Sequence, residues 1–594
     1  MAKKKSNKYD IPGPATPKSD PRSVADTTAD KPSDNFAVTR EFIESVVIAI
    51  ILALLFRAFE AEAFVIPTGS MAPTLMGRNK DVLDDMTGFQ YQVGSSVEVD
   101  QSTNRVTGQV VAAIDPLYRR VTDVSELRSS TGDRIIVNKF AYHLSDPERW
   151  DVIVFKNPEN PHINYIKRLI GLPGETVRIH NGDIYVRTGD DGDFQIARKP
   201  VKKQLALLQP VYDTDYPCEP LEAIGFPDRF EEFLPQEEQP TEPERTWTRA
   251  DQDAKVAYAS KPNGQEIGWL RYRHLLPENG SDTTYWTAAQ RGLPIDGDEA
   301  RRHLSQLITD FNAYNTYMSS FSGPPQRSGE WGMHWVGDLT LEATLDIASD
   351  QGTLILDLVE GGVHFQCEID VASGQAVLSA DSAEIRFDAD QPIEGTTPIR
   401  GPGQYRVRYS NSDDELRLWV DDRLIQLNHP ATYAPTGEVV PKWSEEDQGD
   451  LLPVGIGTSD VQLTATSLRV LRDIYYIASD SNLDGMMDYG NESHPGWNQP
   501  SLHRVLRIMR SPAEWGTTEL FNSRREVLFD LEQDQFFPLG DNSAHSKDGR
   551  LWPSGERYVP RRLMIGKAIF IYYPSSTNRP FVHAPNFSRM KFIR

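Results

Sequence analysis

The sequence predicts a mainly β chain behind a single N-terminal membrane helix, in which a β core is interrupted by a large insertion carrying a jelly-roll β-sandwich. Three observations carry this expectation. An apolar run centred on 46–56 follows a polar N-terminus, and short apolar stretches bounded by Pro or Gly recur at 64–66, 151–156 and 165–170. Alternating strands joined by Gly, Asp and Asn turns then fill 331–476.

At 594 residues the chain is too long for one ordinary hydrophobic core, so length alone favours about two to four domains. The formal charge of −24 argues against nucleic acid as a partner, because phosphate contacts need clustered Lys and Arg. The two cysteines, Cys218 and Cys367, cannot build a disulfide framework or a cysteine-rich metal site. One long-range bridge between them stays open, although Cys367 in HFQCEID also reads as a packed strand residue.

Residues 1–35 are polar, rich in Pro, Ser and Asp, and open with Lys3, Lys4, Lys5 and Lys8, which predicts a disordered tail. The next segment, 36–60, contains FIESVVIAIILALLFRAF, whose charges Glu44 and Arg57 lie near its ends and can snorkel to headgroups. Its length suffices to span a bilayer. The apolar run starts late in the chain and no clear small-x-small cleavage site precedes the next structured stretch, so a removed leader is not expected. Lysines before the helix place the tail in the cytoplasm and everything after Arg57 outside.

Directly after the helix the chain reads AEAFVIPTGSMAPTL, a strand-like run broken by Pro67 and Gly69. Ser70 sits on that turn, where a hydroxyl is exposed beside backbone N–H groups, as a nucleophile and an oxyanion site both require. A serine beside glycine is most often only a turn residue. Three features favour more here: the turn lies just past the membrane segment, Met71 and Leu75 are placed to dip into the bilayer, and a suitable lysine follows. The 12 histidines form no pattern that would complete a Ser-His-Asp set.

A lysine deprotonates serine only when neutral, which demands burial that depresses its pKa. Lys139 in DRIIVNKFAYHL, Lys156 in WDVIVFKNP and Lys167 in INYIKRLIGLPGETV all lie in apolar strand contexts. Alternation puts Ile163, Tyr165, Lys167 and Leu169 on one face, with Ile166 and Arg168 on the other. Lys167 therefore has the most apolar surroundings, and Lys139 is the alternative.

PTGSMAPTL, WDVIVFK, NYIKRLIGLPGE and FFPLGDNSAHSKDGRLW, in that order behind a membrane helix, resemble the bacterial type I signal peptidases. The resemblance implies Ser70 as nucleophile and Lys167 as general base, with the Thr68 hydroxyl joining the Ser70 N–H as the oxyanion hole. It implies that Ser546 hydrogen-bonds the base amine, that Asp548 and Arg550 form an ion pair, and that Asp541 caps the turn. Gly549 replaces the second serine of the family's GDN-x3-S-x-D-S-R pattern. By the same resemblance the core is mostly antiparallel and binds an extended substrate beside 64–66 and 163–166. Phe64, Ile66 and Ile166, with Met71 and Leu75, would contact a substrate carrying alanine-like side chains before the cut.

The matching blocks cover about 61–78, 131–187 and 515–580, so the core reads as 61–187 and 515–594, with insertions at 79–130 and 188–514. The smaller insertion holds two hairpin-like pieces, DDMTGFQYQV and GQVVAAIDPLYRR, of a spacing that in a related protein carries a zinc ribbon. Without cysteine there, no metal is expected, and no cofactor is expected either. Within the larger insertion, about 325–475 resembles concanavalin-like jelly rolls of the laminin-G type, which bind sugars or proteins; a spacer or substrate-access cap is an equal reading. DSNLDGMMDYGNES, 480–493, lacks the ligand spacing and terminal Glu of a calcium loop and reads as a solvated turn.

The resulting expectation is a single-span protease of the inner membrane, its catalytic domain on the periplasmic side, that removes signal peptides from exported preproteins through an acyl-enzyme. A self-cleaving repressor-type protease uses the same pair, but the membrane helix argues against it. The alternative from another class is a membrane-tethered glycan- or protein-binding module whose peptidase core has decayed.

Overall fold

The computed structural model describes residues 35–59, 61–100, 103, 105–189, 192–233, 245–252, 255–264, 266–277, 284–321, 326–327, 332–480, 486–489, 501–553, 555–577 and 584–594. The expected tail, 1–35, falls almost wholly outside them. The chain divides into two units, Met1–Ala58 and Phe59–Arg594. The first contributes one helix, Asn35–Phe59. Among the described residues no helix is long and apolar enough to cross a membrane. The described side chains of this helix, 39–52, are all exposed, including Phe42, Ile43, Ile48, Ile50, Ile51 and Leu52.

The second unit is mainly β. Its core sheet runs Ala61–Val65, Arg134–Asn138, Met564–Tyr573, Val152–Lys156, Asn164–Gly171, Gln535–Leu539, Val559–Pro560, antiparallel throughout. VIVFK shows why the strands read as continuous apolar runs. Val152 and Val154 enter one buried cluster with Ile66, Met71, Leu75, Ile135 and Ile571, while Ile153 and Phe155 enter another with Leu169, Phe536 and Trp552. A strand covered on both faces loses the polar alternation of a half-exposed one.

A second sheet, Gln195–Ile196, Asp183–Thr188, Glu175–His180 and Glu526–Asp530, carries the core pairing past the expected limit at 187, since Tyr185 pairs with Ile196. The smaller insertion forms the hairpin Asn79–Leu83/Gln90–Gly94 and the pair Gln109–Ile114/Val121–Asp123. Gln109–Ile114 then pairs with Tyr317–Ser320, so the two insertions share one sheet.

The sandwich begins much earlier than 325. One sheet runs Trp247–Arg249, Ala257–Ser260, Leu463–Arg472, Leu339–Ile347, Gly403–Ser412, Glu415–Val420, Arg423–Leu424, with Gln209–Asp213 also on Leu463–Arg472. The other runs Phe230–Phe233, Gly268–Tyr272, Val454–Ser459, Thr353–Glu360, Val363–Asp370, Gln375–Ala380, Ile393–Thr396. In LTLEATLDI the buried residues are Leu339, Leu341, Ala343, Leu345 and Ile347 together with Thr340, and the odd-numbered set packs against Leu356, Phe365 and Ile456 of the facing sheet. Strands between 209 and 272, outside the expected 325–475, thus complete both sheets. Cys218 and Cys367 are free and buried in this same core.

Of the stretch 480–493, only 480 and 486–489 are described, and they correct the solvated-turn reading in part. Asp488 is wholly buried, accepts a hydrogen bond from the Tyr475 hydroxyl and lies 3.4 Å from His334 Nε2.

Lys199, just past Gln195–Ile196, is buried against sandwich carboxylates: its Nζ pairs with Asp413 and lies 3.2 Å from Asp473 Oδ2. Burial opposes its charge, yet Asp413 and Asp473 hold its pKa above the usual lysine range. Lys199→Ala leaves those carboxylates buried without their cation, and we expect a loss of about 3–5 kcal/mol in urea unfolding. An unchanged midpoint would show that this pair does not tie the sandwich to the core.

Candidate active site

The turn after Ala61–Val65 is built from inside outward. Met71 and Leu75 are completely buried beside Ile66, Ile135 and Val137. They are therefore anchors of the turn in the protein interior, which corrects the expectation that they dip into a bilayer or meet substrate. With them fixed, Ala72 N donates to Gly69 O at 3.0 Å, Leu75 N to Met71 O at 2.8 Å, and Arg78 N to Pro67 O at 3.2 Å. Ser70, 9% exposed, comes at the lip of this turn. Among the described residues its N–H donates to no partner. Thr68 is partly buried beside it.

Lys167 reaches Ser70 from the strand Asn164–Gly171. Its Nζ lies 2.7 Å from Ser70 Oγ and 3.1 Å from Ile166 O, with the residue 4% exposed. A neutral amine in this position donates to the carbonyl and offers its lone pair to the hydroxyl. Burial lowers the Lys167 pKa to about 8, against the opposing fields of Asp548 and Asp541. The other lysines do not approach: Lys139 is partly exposed and pairs with Glu62 at 3.3 Å, and Lys156 is exposed. Ile163 precedes the strand and is 46% exposed, so it does not join the Lys167 face.

Arg168, set aside by the alternation as facing away, is also wholly buried. Its Nε and Nη2 donate to Asp541 Oδ1 and Oδ2 at 2.6 and 2.7 Å, and Nη1 donates to Trp150 O at 2.8 Å. Asp541 is thus the counter-ion of Arg168 rather than a turn cap. Asp548 and Arg550 form a second buried pair, with Nε to Oδ1 and Nη2 to Oδ2 both 2.9 Å. Asp548 Oδ2 also accepts from Gly540 N at 3.0 Å, and Arg550 Nη1 donates to Ser543 Oγ at 2.9 Å. Ser546 Oγ is buried without a hydrogen-bond partner among the described residues, so it does not bond the amine.

Gly540 lies where these parts meet. A Cβ there would sit 2.2 Å from Ser546 Oγ and 2.4 Å from Ser70 O. Phe64 and Ile166, partly buried, pack with Ile66 in one apolar cluster. Ala61–Val65 pairs only with Arg134–Asn138, and residues 164–167 pair only with Val152–Lys156, leaving each with an open edge among the described residues. Residues given no role from the sequence are Arg168, adjacent to Lys167 in an apolar run, and Asn542 and Ser543 inside the recognised late block; Tyr314, packed on Ala72 and Met76, and Asn315, bonded to Asn542, lie in the insertion and left no local signal. Away from this site, Asp183, Asp338 and Asp413 bring carboxylate oxygens within 4.8 Å of one another, a group able to hold a cation.

Residues 110–217 match the family described as signal peptidase, peptidase S26. This stretch contains Lys167 but neither Ser70 nor the 540–550 block. Signal peptidase I of Leptolyngbya laminosa is 30% identical over 188 residues, 30% of this chain and 63% of that protein. Probable signal peptidase I-2 of Synechocystis sp. is 30% identical over 169 residues, 27% of this chain and 52% of that protein. Signal peptidase I of Pseudomonas aeruginosa is 52% identical over 59 residues, 8% of this chain and 21% of that protein. The chain therefore spans between 21% and 63% of the length of these relatives. Among solved structures, the carbohydrate-binding module CBM66 from Bacillus subtilis is 13% identical, covers 38% of this chain and 94% of that chain, and has a TM-score of 0.19, too low to support an inference.

Because the space at Gly540 is closed by backbone as well as by a hydroxyl, Gly540→Ala should cost about 1–3 kcal/mol of stability by overpacking. Equilibrium unfolding of the two proteins side by side measures this; equal stability means the contact relaxes freely.

Proposed function

We propose that this chain is a membrane-attached serine endopeptidase of the signal peptidase I type, with Ser70 as nucleophile and Lys167 as general base. The observation that carries the reading is the 2.7 Å approach of a buried lysine amine to a serine hydroxyl on a turn whose N–H has no partner among the described residues. Similarity to signal peptidases over 110–217 supports the substrate class.

In this mechanism Ser70 Oγ attacks the scissile carbonyl while Lys167 takes its proton. The oxyanion is met by the Ser70 N–H and the Thr68 hydroxyl. Lys167 then protonates the leaving amine, the acyl chain remains on Ser70 as an ester, and water deprotonated by the same lysine releases it. The Arg168–Asp541 pair holds the late block against the strand that carries the base, while Asp548 with Arg550 fixes the shape of the block itself. Substrate enters as an extended strand between the two open edges, backbone pairing giving sequence-tolerant affinity and the Phe64, Ile66 and Ile166 cluster favouring small side chains.

Membrane attachment belongs to the same reading. The exposed apolar side chains of Asn35–Phe59 continue in sequence as ALLF, and its 25 residues extend about 37 Å as α-helix. Basic residues N-terminal to the helix favour an inner-membrane topology with the peptidase outside the cytoplasm.

Ser70→Ala and Lys167→Ala should each abolish cleavage of a preprotein by the purified, detergent-solubilised chain. Cleavage persisting in either variant ends the assignment. Since only the neutral amine accepts a proton, and burial holds the Lys167 pKa at about 8, kcat/KM should fall as pH drops below that value. A rate flat from about pH 6 to about pH 9 would exclude Lys167 as the titrating base.

A further inference from the structure

The nucleophile turn is held from behind by a segment of the large insertion. Between the helix Gly297–Leu304 and the strand Tyr317–Ser320 the chain makes a self-braced turn: Asn312 Oδ1 accepts from Tyr314 N, and Asn312 O accepts from Asn315 N and Thr316 Oγ1, each at 3.0 Å. The turn aims two buried side chains at the site. Tyr314 packs on Ala72 and Met76, its hydroxyl donates to Arg78 O at 3.1 Å, and its ring is so near Gly69 that a Cβ there would sit 2.0 Å from Cε1.

Asn315 makes the more specific contact. Its Nδ2 donates to Asn542 Oδ1 at 2.6 Å, and Asn542 Nδ2 donates back to Asn315 Oδ1 at 2.7 Å. Asn542 Nδ2 also donates to Gly69 O at 2.9 Å, while Asn542 N donates to Ser70 O at 3.2 Å. Because Gly69 O only accepts, the Asn542 amide must turn its NH2 toward it. A partner offering one donor and one acceptor side by side then satisfies the rest of that amide edge. Asn315 is that partner, 4% exposed and 227 residues distant in the chain from Asn542.

We infer that Asn315 is a positioning residue for the nucleophile: acting through Asn542, it sets the peptide between Gly69 and Ser70 and with it the approach of Ser70 Oγ to Lys167 Nζ. The inference rests on the serine-lysine reading above. It makes the insertion a working part of the site, not a module appended to a complete peptidase.

The test uses the full-length chain in detergent, with preprotein cleavage followed as separate kcat and KM values. Asn315→Leu, which keeps the volume but neither donor nor acceptor, should lower kcat about 10- to 100-fold while KM stays within about twofold, because Asn315 lies behind the turn and not at a substrate edge. Asn315→Asp adds a signature that loss of packing does not produce. Its neutral carboxyl offers an O–H and a C=O as the amide does, whereas the ionised form offers only acceptors to Asn542 Oδ1. The ratio of Asn315→Asp to wild-type kcat should therefore fall as the carboxyl ionises, and lie about 10-fold or more below one by about pH 9.

A folded Asn315→Leu protein with kcat within about twofold of wild type overturns the inference, as does an Asn315→Asp ratio that stays within about twofold of one up to about pH 9. Should Asn315→Leu fail to fold, the Asn315→Asp ratio decides alone. Failure of the underlying reading looks different: wild-type cleavage would then survive Ser70→Ala.

Discussion

Burial of the Lys167 amine beside the Ser70 hydroxyl is the constraint on which the rest of the site depends. An ammonium there loses its hydration, and the pKa falls to about 8. Two carboxylates nearby, Asp541 and Asp548, act in the opposite sense and favour the proton. Each is engaged bidentately by its own buried guanidinium, Arg168 or Arg550. The block that braces the site thus brings negative charge close to the base only in company with positive charge. Two buried ion pairs are weak evidence of net stability, but Arg168–Asp541 ties the strand of Lys167 to the late block, and Asp548–Arg550 braces that block from within.

That geometry draws on distant parts of the chain. Ser70 and Lys167 come from the first part of the core, Asn542 from the last, and Asn315 from the insertion. The same integration recurs elsewhere: Gln109–Ile114 pairs with Tyr317–Ser320, and Lys199 is buried against Asp413 and Asp473 of the sandwich. Insertions of this kind enter at loops, where chain length costs little. Once paired into sheets and buried ion pairs, they no longer behave as separable additions.

How much was legible in the sequence follows from which signals are local. Lys167 was legible because alternation around it is an arithmetic property of the strand. The same arithmetic misplaced Arg168, since it distinguishes the two faces without revealing that both are covered. Met71 and Leu75 were misread because apolar residues after an apolar helix look the same whether lipid or protein covers them. Ser546 and Asp541 lay in a recognisable block, but which atoms they meet depends on how that block docks: Asp541 found Arg168, and Ser546 Oγ found no partner among the described residues. The strands between 209 and 272 carried too little alternation to be told from irregular chain until their partners in the sandwich were in place.

By itself the sequence determined the mainly β character, the alternation of the long sandwich strands, the turn that carries Ser70 and the apolar context of Lys167, because each depends on residues a few positions apart; that Ser70 is nearly buried on that turn came only from the structure. Tertiary structure alone decided that Ser70 Oγ and Lys167 Nζ meet, that Arg168 pairs with Asp541, and that Asn315 reaches Asn542. Those contacts join residues separated by 97, 373 and 227 positions, and no local pattern encodes which buried donor will find which acceptor. Burial makes an unpaired polar group costly, and packing of the whole chain chooses its partner.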